Sequence, residues 1–259
     1  MSINNDELKI YRGTDIRISD SIFIHQPSLD EIIEYGEKEY YQMVYTLLST
    51  PSDMMWQLDR MGINYAEISE FELFSNLICK IYPKEDTKII LGDLDLSRLE
   101  LFIDKETGNN VLRYDLEKET NTDLFPKHKN TIIDEYTYML IMDYLRRMHG
   151  LEKPLQNIPA NEFTRIALIE TSYEEYLNNK DKEYQSQLLN IVSTLVNIEG
   201  FKFNYNEIWD MKIYAFMDSL KRISKIRNAN MLIQSGYSGF GVDLKKINKK
   251  ELDWSGSLD

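Results

Sequence analysis

Asp93 and Asp95, in the order Gly92-Asp93-Leu94-Asp95-Leu96, have the spacing in this chain that most suggests chemistry. Aspartates two apart on a strand point the same way and could share a divalent cation or hold a sugar nucleotide. The same alternation makes Leu94 and Leu96 a core face and the aspartates a wet face, and that plainer reading is the stronger one. The three histidines are scattered: His25 follows a strand-like stretch, His128 lies in a polar connection, and His149 sits at a helix end, without the ligand spacings that metal sites favour.

Nucleophilic catalysis finds no better footing. There is no G-x-S-x-G elbow, and the single cysteine, Cys79, lies in the apolar phase of Leu73, Phe74, Leu77, Ile78 and Ile81 with no nearby histidine. It reads as a small buried hydrophobe. Gly236, Gly239 and Gly241 give G-x-x-G-x-G but lack a preceding strand, a following amphipathic helix and a downstream Lys-Ser/Thr, so they read as a joint, not a phosphate cradle. The expectation is a protein that binds and does not catalyse, with no cofactor and no metal.

The elements that would position these residues are mostly helical. Residues 8 to 25 alternate, with turn candidates at Gly13 and Asp20-Ser21, and predict a small hairpin. Ser28 with Glu31 makes a capping box that opens a helix over 29 to 49; Thr50-Pro51 starts a second that ends near Gly62; Ser69 with Glu72 opens a third that Pro83 stops. From Lys88 the period becomes two, through Ile89, Leu91, Leu94, Leu96, Leu99, Leu101 and Ile103, with a Gly108-Asn109 turn and a return over Val111 to Tyr114, which predicts a small antiparallel sheet.

Residues 115 to 131 are polar, carry Pro126 and have no period, so they are the best candidate boundary. Helical periodicity returns over 134 to 149, with Arg146, Arg147 and His149 complementing the negative helix end and Gly150 as its stop. Pro154 and Pro159 mark a linker. Helices are expected over 161 to 179, 183 to 198 and 206 to 234, the last broken near Asp210-Met211-Lys212. The fold class is thus mainly α (α+β): a helical cluster with a small antiparallel sheet over 1–126, a helical bundle over 127–235, and a basic flexible tail over 236–259 that is dispensable for folding.

The bulk numbers agree with a globular chain. Of 259 residues, 42% are hydrophobic and 28% charged, and the formal net charge is -13. That charge opposes nucleic acid and anionic lipid. It is uneven: residues 201 to 259 carry 10 Lys/Arg against 7 Asp/Glu, whereas the rest carries 20 against 36. The longest apolar stretches are too short to span a membrane, and no apolar segment follows a basic start, so a cytoplasmic protein is expected. The aromatic run Phe201 to Tyr205, continued by Trp209, Met211, Tyr214, Phe216 and Met217, reads mainly as core, with a basic neighbourhood that keeps single-strand binding as a minor alternative. The 11 Met and 17 Tyr point weakly to a surface that fits a partner.

Several stretches together resemble a family of tail-module proteins from phages and prophages of low-GC Gram-positive bacteria, similar to tail assembly chaperones. They are Tyr11-Arg12-Gly13, His25 to Ile32 with Tyr35-Gly36-Glu37, Leu91 to Asp95, Ile208 to Ile213 with Phe216 to Ser219, and Lys245 to Lys250. The resemblance covers most of the chain and implies no catalytic residues. It implies a non-enzymatic protein of the host cytoplasm that chaperones the tape-measure protein, or alternatively a structural component of the virion tail or baseplate. Candidates for partner contact are Trp209, Met211, Phe216, Tyr237, Phe240, Lys245, Lys246 and Trp254.

Overall fold

The structure is a computed structural model and describes residues 7–115, 130–238, 241–256 and 258. Among these the fold is mainly α, with 11 helices and two small antiparallel sheets. The described residues open with α1 (Glu7–Tyr11), where alternation had suggested a strand, and only then form the hairpin of two-residue strands β1 (Ile16–Arg17) and β2 (Phe23–Ile24).

The expected helix over 29 to 49 is two helices, α2 (Leu29–Tyr35) and α3 (Glu37–Leu47). Gly36 divides them at φ 108°, a conformation that continues no helix and that side chains with a Cβ rarely adopt. The Ser28/Glu31 capping box forms as expected, with Ser28 N–H donating to Glu31 Oε2 at 2.6 Å and Glu31 N–H to Ser28 Oγ at 3.2 Å. A 3-10 turn at Pro51–Met54 leads into α4 (Met55–Arg60), and the Ser69/Glu72 box opens α5 (Glu70–Asn76), which tightens into 3-10 geometry at Ile78–Ile81.

The alternation from Lys88 was misleading at its start. Ile89 and Leu91 belong to α6 (Lys84–Leu91), begun by Pro83, favoured by Glu85 and Asp86 in its first turn and stopped by Gly92 at φ 59°. Apolar residues two apart over four positions fit one helical face as well as a strand, and the local cap signals decide between them. Leu94 and Leu96 are nonetheless buried. The sheet itself is β3 (Leu99–Ile103), β4 (Asn110–Tyr114) and β5 (Ile132–Ile133), in that order, with Leu101 opposite Leu112 and Leu112 opposite Ile133. Most of the polar connection between β4 and β5, with Pro126 and His128, lies outside the described residues.

The second half holds α7 (Glu135–Met148), α8 (Glu162–Asn179), α9 (Gln187–Asn197), the 25-residue α10 (Ile213–Tyr237) and the short α11 (Lys249–Leu252). Asp134 and Asn161 cap α7 and α8 through their side-chain oxygens. The apolar core runs across the 126/127 boundary. Leu47, Leu58, Phe74 and Ile90 share one buried cluster with Tyr138, Leu145, Met148, Leu195 and Phe216. The Tyr138 ring lies 5.0 Å from that of Phe74 and 5.6 Å from that of Phe71. Among the described residues, that cluster holds no fully buried one after Phe216.

Candidate partner-binding surface

A polar joint fixes the root of α10 against the N-terminal region. Residues 27 to 29 and 211 to 213 pair as a single antiparallel bridge, with Ile213 N–H donating to the Pro27 carbonyl at 2.9 Å and Leu29 N–H to the Met211 carbonyl at 3.1 Å. Lys212 Nζ donates to Glu31 Oε2 at 3.0 Å. His25 faces Glu31 Oε1 through Nε2 at 3.2 Å and Asp15 Oδ1 through Nδ1 at 2.8 Å. Partial burial would raise the Glu31 pKa, but the Ser28 N–H and hydroxyl and the Lys212 ammonium outweigh it and hold it at about 2. Gly13, at φ 83°, completes the joint: a Cβ there would lie 2.5 Å from Lys212 Cγ.

Three stretches that carry the phage resemblance, Tyr11 to Gly13, His25 to Ile32 and Ile208 to Ile213, therefore meet at one place. Glu31 is shared there between Ser28, His25 and Lys212, and the arrangement positions α10.

The proposed contact residues divide. Met211 and Phe216 are buried in the core, where α10 begins, because they sit beside the bridge to residues 27 to 29. Trp209 is half-buried and packs edge-on against Tyr205 at 5.7 Å. Tyr237, Lys245, Lys246 and Trp254 are exposed, Tyr237 at 82%. Phe240 lies outside the described residues.

The segment expected to be a free tail returns along α10. Arg222 Nη1 donates to the carbonyls of Trp254 at 3.0 Å and Gly256 at 2.8 Å, Val242 N–H donates to Ser235 Oγ at 3.2 Å, and Leu244 lies against Gly236. Together α10 and the returning segment form a helical hairpin whose surface carries Lys221, Arg227, Lys245, Lys246, Lys249 and Lys250 beside Tyr237 and Trp254.

A second surface was not foreseen. Leu155 is 93% exposed and Ile158 79% exposed, on a strap without regular structure between α7 and α8. The strap is held by polar contacts: Asn157 N–H donates to Ser52 Oγ at 3.0 Å, and Lys153 Nζ lies 2.8 Å from Glu70 Oε1. Its apolar side chains are left outward. Two leucine-sized residues in an aperiodic stretch between prolines were the available signal, since such a stretch has no face to turn inward. Beyond the strap, α8 is clamped on α4 by Arg60, whose guanidinium lies 5.0 Å from the Trp56 ring and 4.5 Å from Tyr173.

The acidic pair is committed locally. Asp93 Oδ1 lies 2.9 Å from Lys84 Nζ, and Asp95 Oδ1 accepts from Ser97 N–H at 3.1 Å and Ser97 Oγ at 2.7 Å. The two do not sit on a strand, because Gly92 ends α6 and a 3-10 turn starts at Leu96. Among the described residues no group of three or more His, Cys, Asp or Glu could hold a metal ion. No helix among them is long and apolar enough to cross a membrane.

Fold and surface thus define a mainly α protein with a polar joint, a basic helical hairpin and an exposed apolar strap. Residues 178–259, which include α9, α10 and α11, match the family model of the YomV second domain, a phage- and prophage-associated family. The match fits a phage protein. No curated protein and no solved structure matches the chain.

Proposed function

We propose that this chain is a non-enzymatic phage tail assembly protein that chaperones the tape-measure protein in the host cytoplasm. The observation that carries the reading is the exposure of Leu155 and Ile158 on a strap pinned at Ser52 and Glu70. An ordered backbone that presents apolar side chains to water is suited to a partner that covers them. A long coil-forming client has the complementary need, because its helices carry an apolar stripe that aggregates when bare. The acidic surface keeps such a complex soluble.

Co-expression with the neighbouring reading frames, followed by pull-down, tests this. The tape-measure protein should be retained by the natural chain and lost with the pair Leu155→Asp and Ile158→Asp. Mass spectrometry of purified particles should not find the chain; its presence at fixed copy number would make it a structural component of the tail or baseplate. Calorimetry with manganese or magnesium should show no heat of binding, and a saturable signal removed by Asp93→Asn would return an enzymatic role to consideration.

A further inference from the structure

The outward faces of α8 and α10 are complementary to each other. None of the residues of α8 is fully buried; its inner side meets α4, and its outer side carries Phe163, Ile166, Glu170 and Glu174 at helical spacing. Phe163 is 83% exposed and Ile166 45%. On α10 the exposed side carries Arg227 and Met231 one turn apart, with Met231 at 61%. Laid antiparallel with Ile166 opposite Met231, the two helices bring Glu170 opposite Arg227. Apolar residue meets apolar residue, and acid meets base.

Both stripes are exposed in one and the same chain, so neither covers the other. We infer that they pair between copies: α8 of one copy packs antiparallel on α10 of the next. The charge distribution favours the same pairing. α8, residues 162 to 179, holds four acidic residues against one basic one, whereas α10 and the returning segment carry eight Lys/Arg against four Asp/Glu over 213 to 256. A single such contact leaves each copy one free face, which either closes reciprocally into a twofold dimer or continues into a ring or open chain. One helix pair buries less than the area of a standard stable interface, so the association is weak, dependent on concentration and sensitive to salt. This inference stands on surfaces separate from the strap and does not require the chaperone reading.

The test is sedimentation velocity on the full chain at rising concentration, to about 100 µM, in low salt. The expected mass exceeds that of a monomer and falls toward it in about 1 M salt, where the screening length is about 3 Å. Glu170→Lys and Arg227→Glu, both at exposed positions, should each raise the association midpoint at least about tenfold while leaving the thermal melt unchanged. An equimolar mixture of the two variants should associate again, because one supplies an intact α8 and the other an intact α10. A chain that is monomeric throughout, an assembly indifferent to either substitution, or a mixture that stays monomeric would each overturn the proposal.

Discussion

The Tyr40 hydroxyl lies 2.6 Å from His149 Nε2, inside the core, joining α3 to the end of α7 across 109 positions of chain. His149 Nδ1 is 2.7 Å from the Leu145 carbonyl, which can only accept, so the ring carries its proton on Nδ1 and Nε2 accepts from Tyr40. The sequence placed a cation at this helix end; the structure holds a neutral ring. Complete burial lowers its pKa from 6.5 to about 4, against the opposing pull of the Leu145 carbonyl. The same burial pushes the Tyr40 hydroxyl well above its ordinary range, so it stays a donor.

That pair predicts an acid-sensitive core. Below about pH 6.5 the unfolded chain takes up a proton that the folded chain refuses until about pH 4, so stability falls as pH drops through this interval. The loss reaches roughly 3 kcal/mol at about 1.4 kcal/mol per unit. Urea titrations at pH 7, 5.5 and 4.5 should show the decline, and His149→Gln should flatten it. Tyr40→Phe should cost about 1–3 kcal/mol at pH 7, because it leaves a buried acceptor without a donor.

The joint around Lys212 should fail in a different pH range. Glu31 is depressed from 4.5 to about 2, so its contribution is complete above 4.5 and is lost as pH falls toward 2. Lys212→Ala should raise the Glu31 pKa, measurable by NMR titration of its carboxyl carbon. Gly13→Ala should destabilise by about 1–3 kcal/mol, since it combines a strained backbone with a 2.5 Å approach to Lys212 Cγ.

Removing residues 239 to 259 should leave the main thermal transition within about 2–4 °C of the natural chain. Among the described residues the buried cluster ends at Phe216, so the deletion removes contacts from α10 without opening the core. Amide exchange across 224 to 237 should nevertheless accelerate, because Arg222 and Ser235 lose the partners that hold the returning segment. A fall of many degrees would show that the segment belongs to the cooperative core.

Cys79 should be inert in the folded chain. Burial pushes its thiol up to about 11, and its Sγ donates to the Ser75 carbonyl at 3.0 Å. Labelling by a thiol-specific disulfide reagent at pH 8 should be undetectable without denaturant and stoichiometric in it. Rapid labelling of native protein would mean that α5 opens locally.

Much of the local structure was legible because its causes lie within a few residues. Ser28 and Glu31, Ser69 and Glu72, and Asp134 each satisfy helix-end donors three positions away, so the pattern that announces the cap is also what makes it. Where two local patterns compete, as at Ile89 and Leu91, periodicity alone misassigned the element. Gly36 was visible as a residue, but nothing nearby told that it would break a helix.

Sequence by itself determined the helical class, the buried Cys79, the uneven charge and the alternation of β3 with β4, all of which follow from side-chain type and short-range spacing. Only the tertiary structure decided which side chains are reachable: Met211 and Phe216 went inside, Leu155 and Ile158 stayed out, and His149 became neutral. The reason is that burial belongs to the packing of elements far apart in the chain. Lys212 meets Glu31 across 181 positions and Tyr40 meets His149 across 109, and no local pattern encodes either meeting.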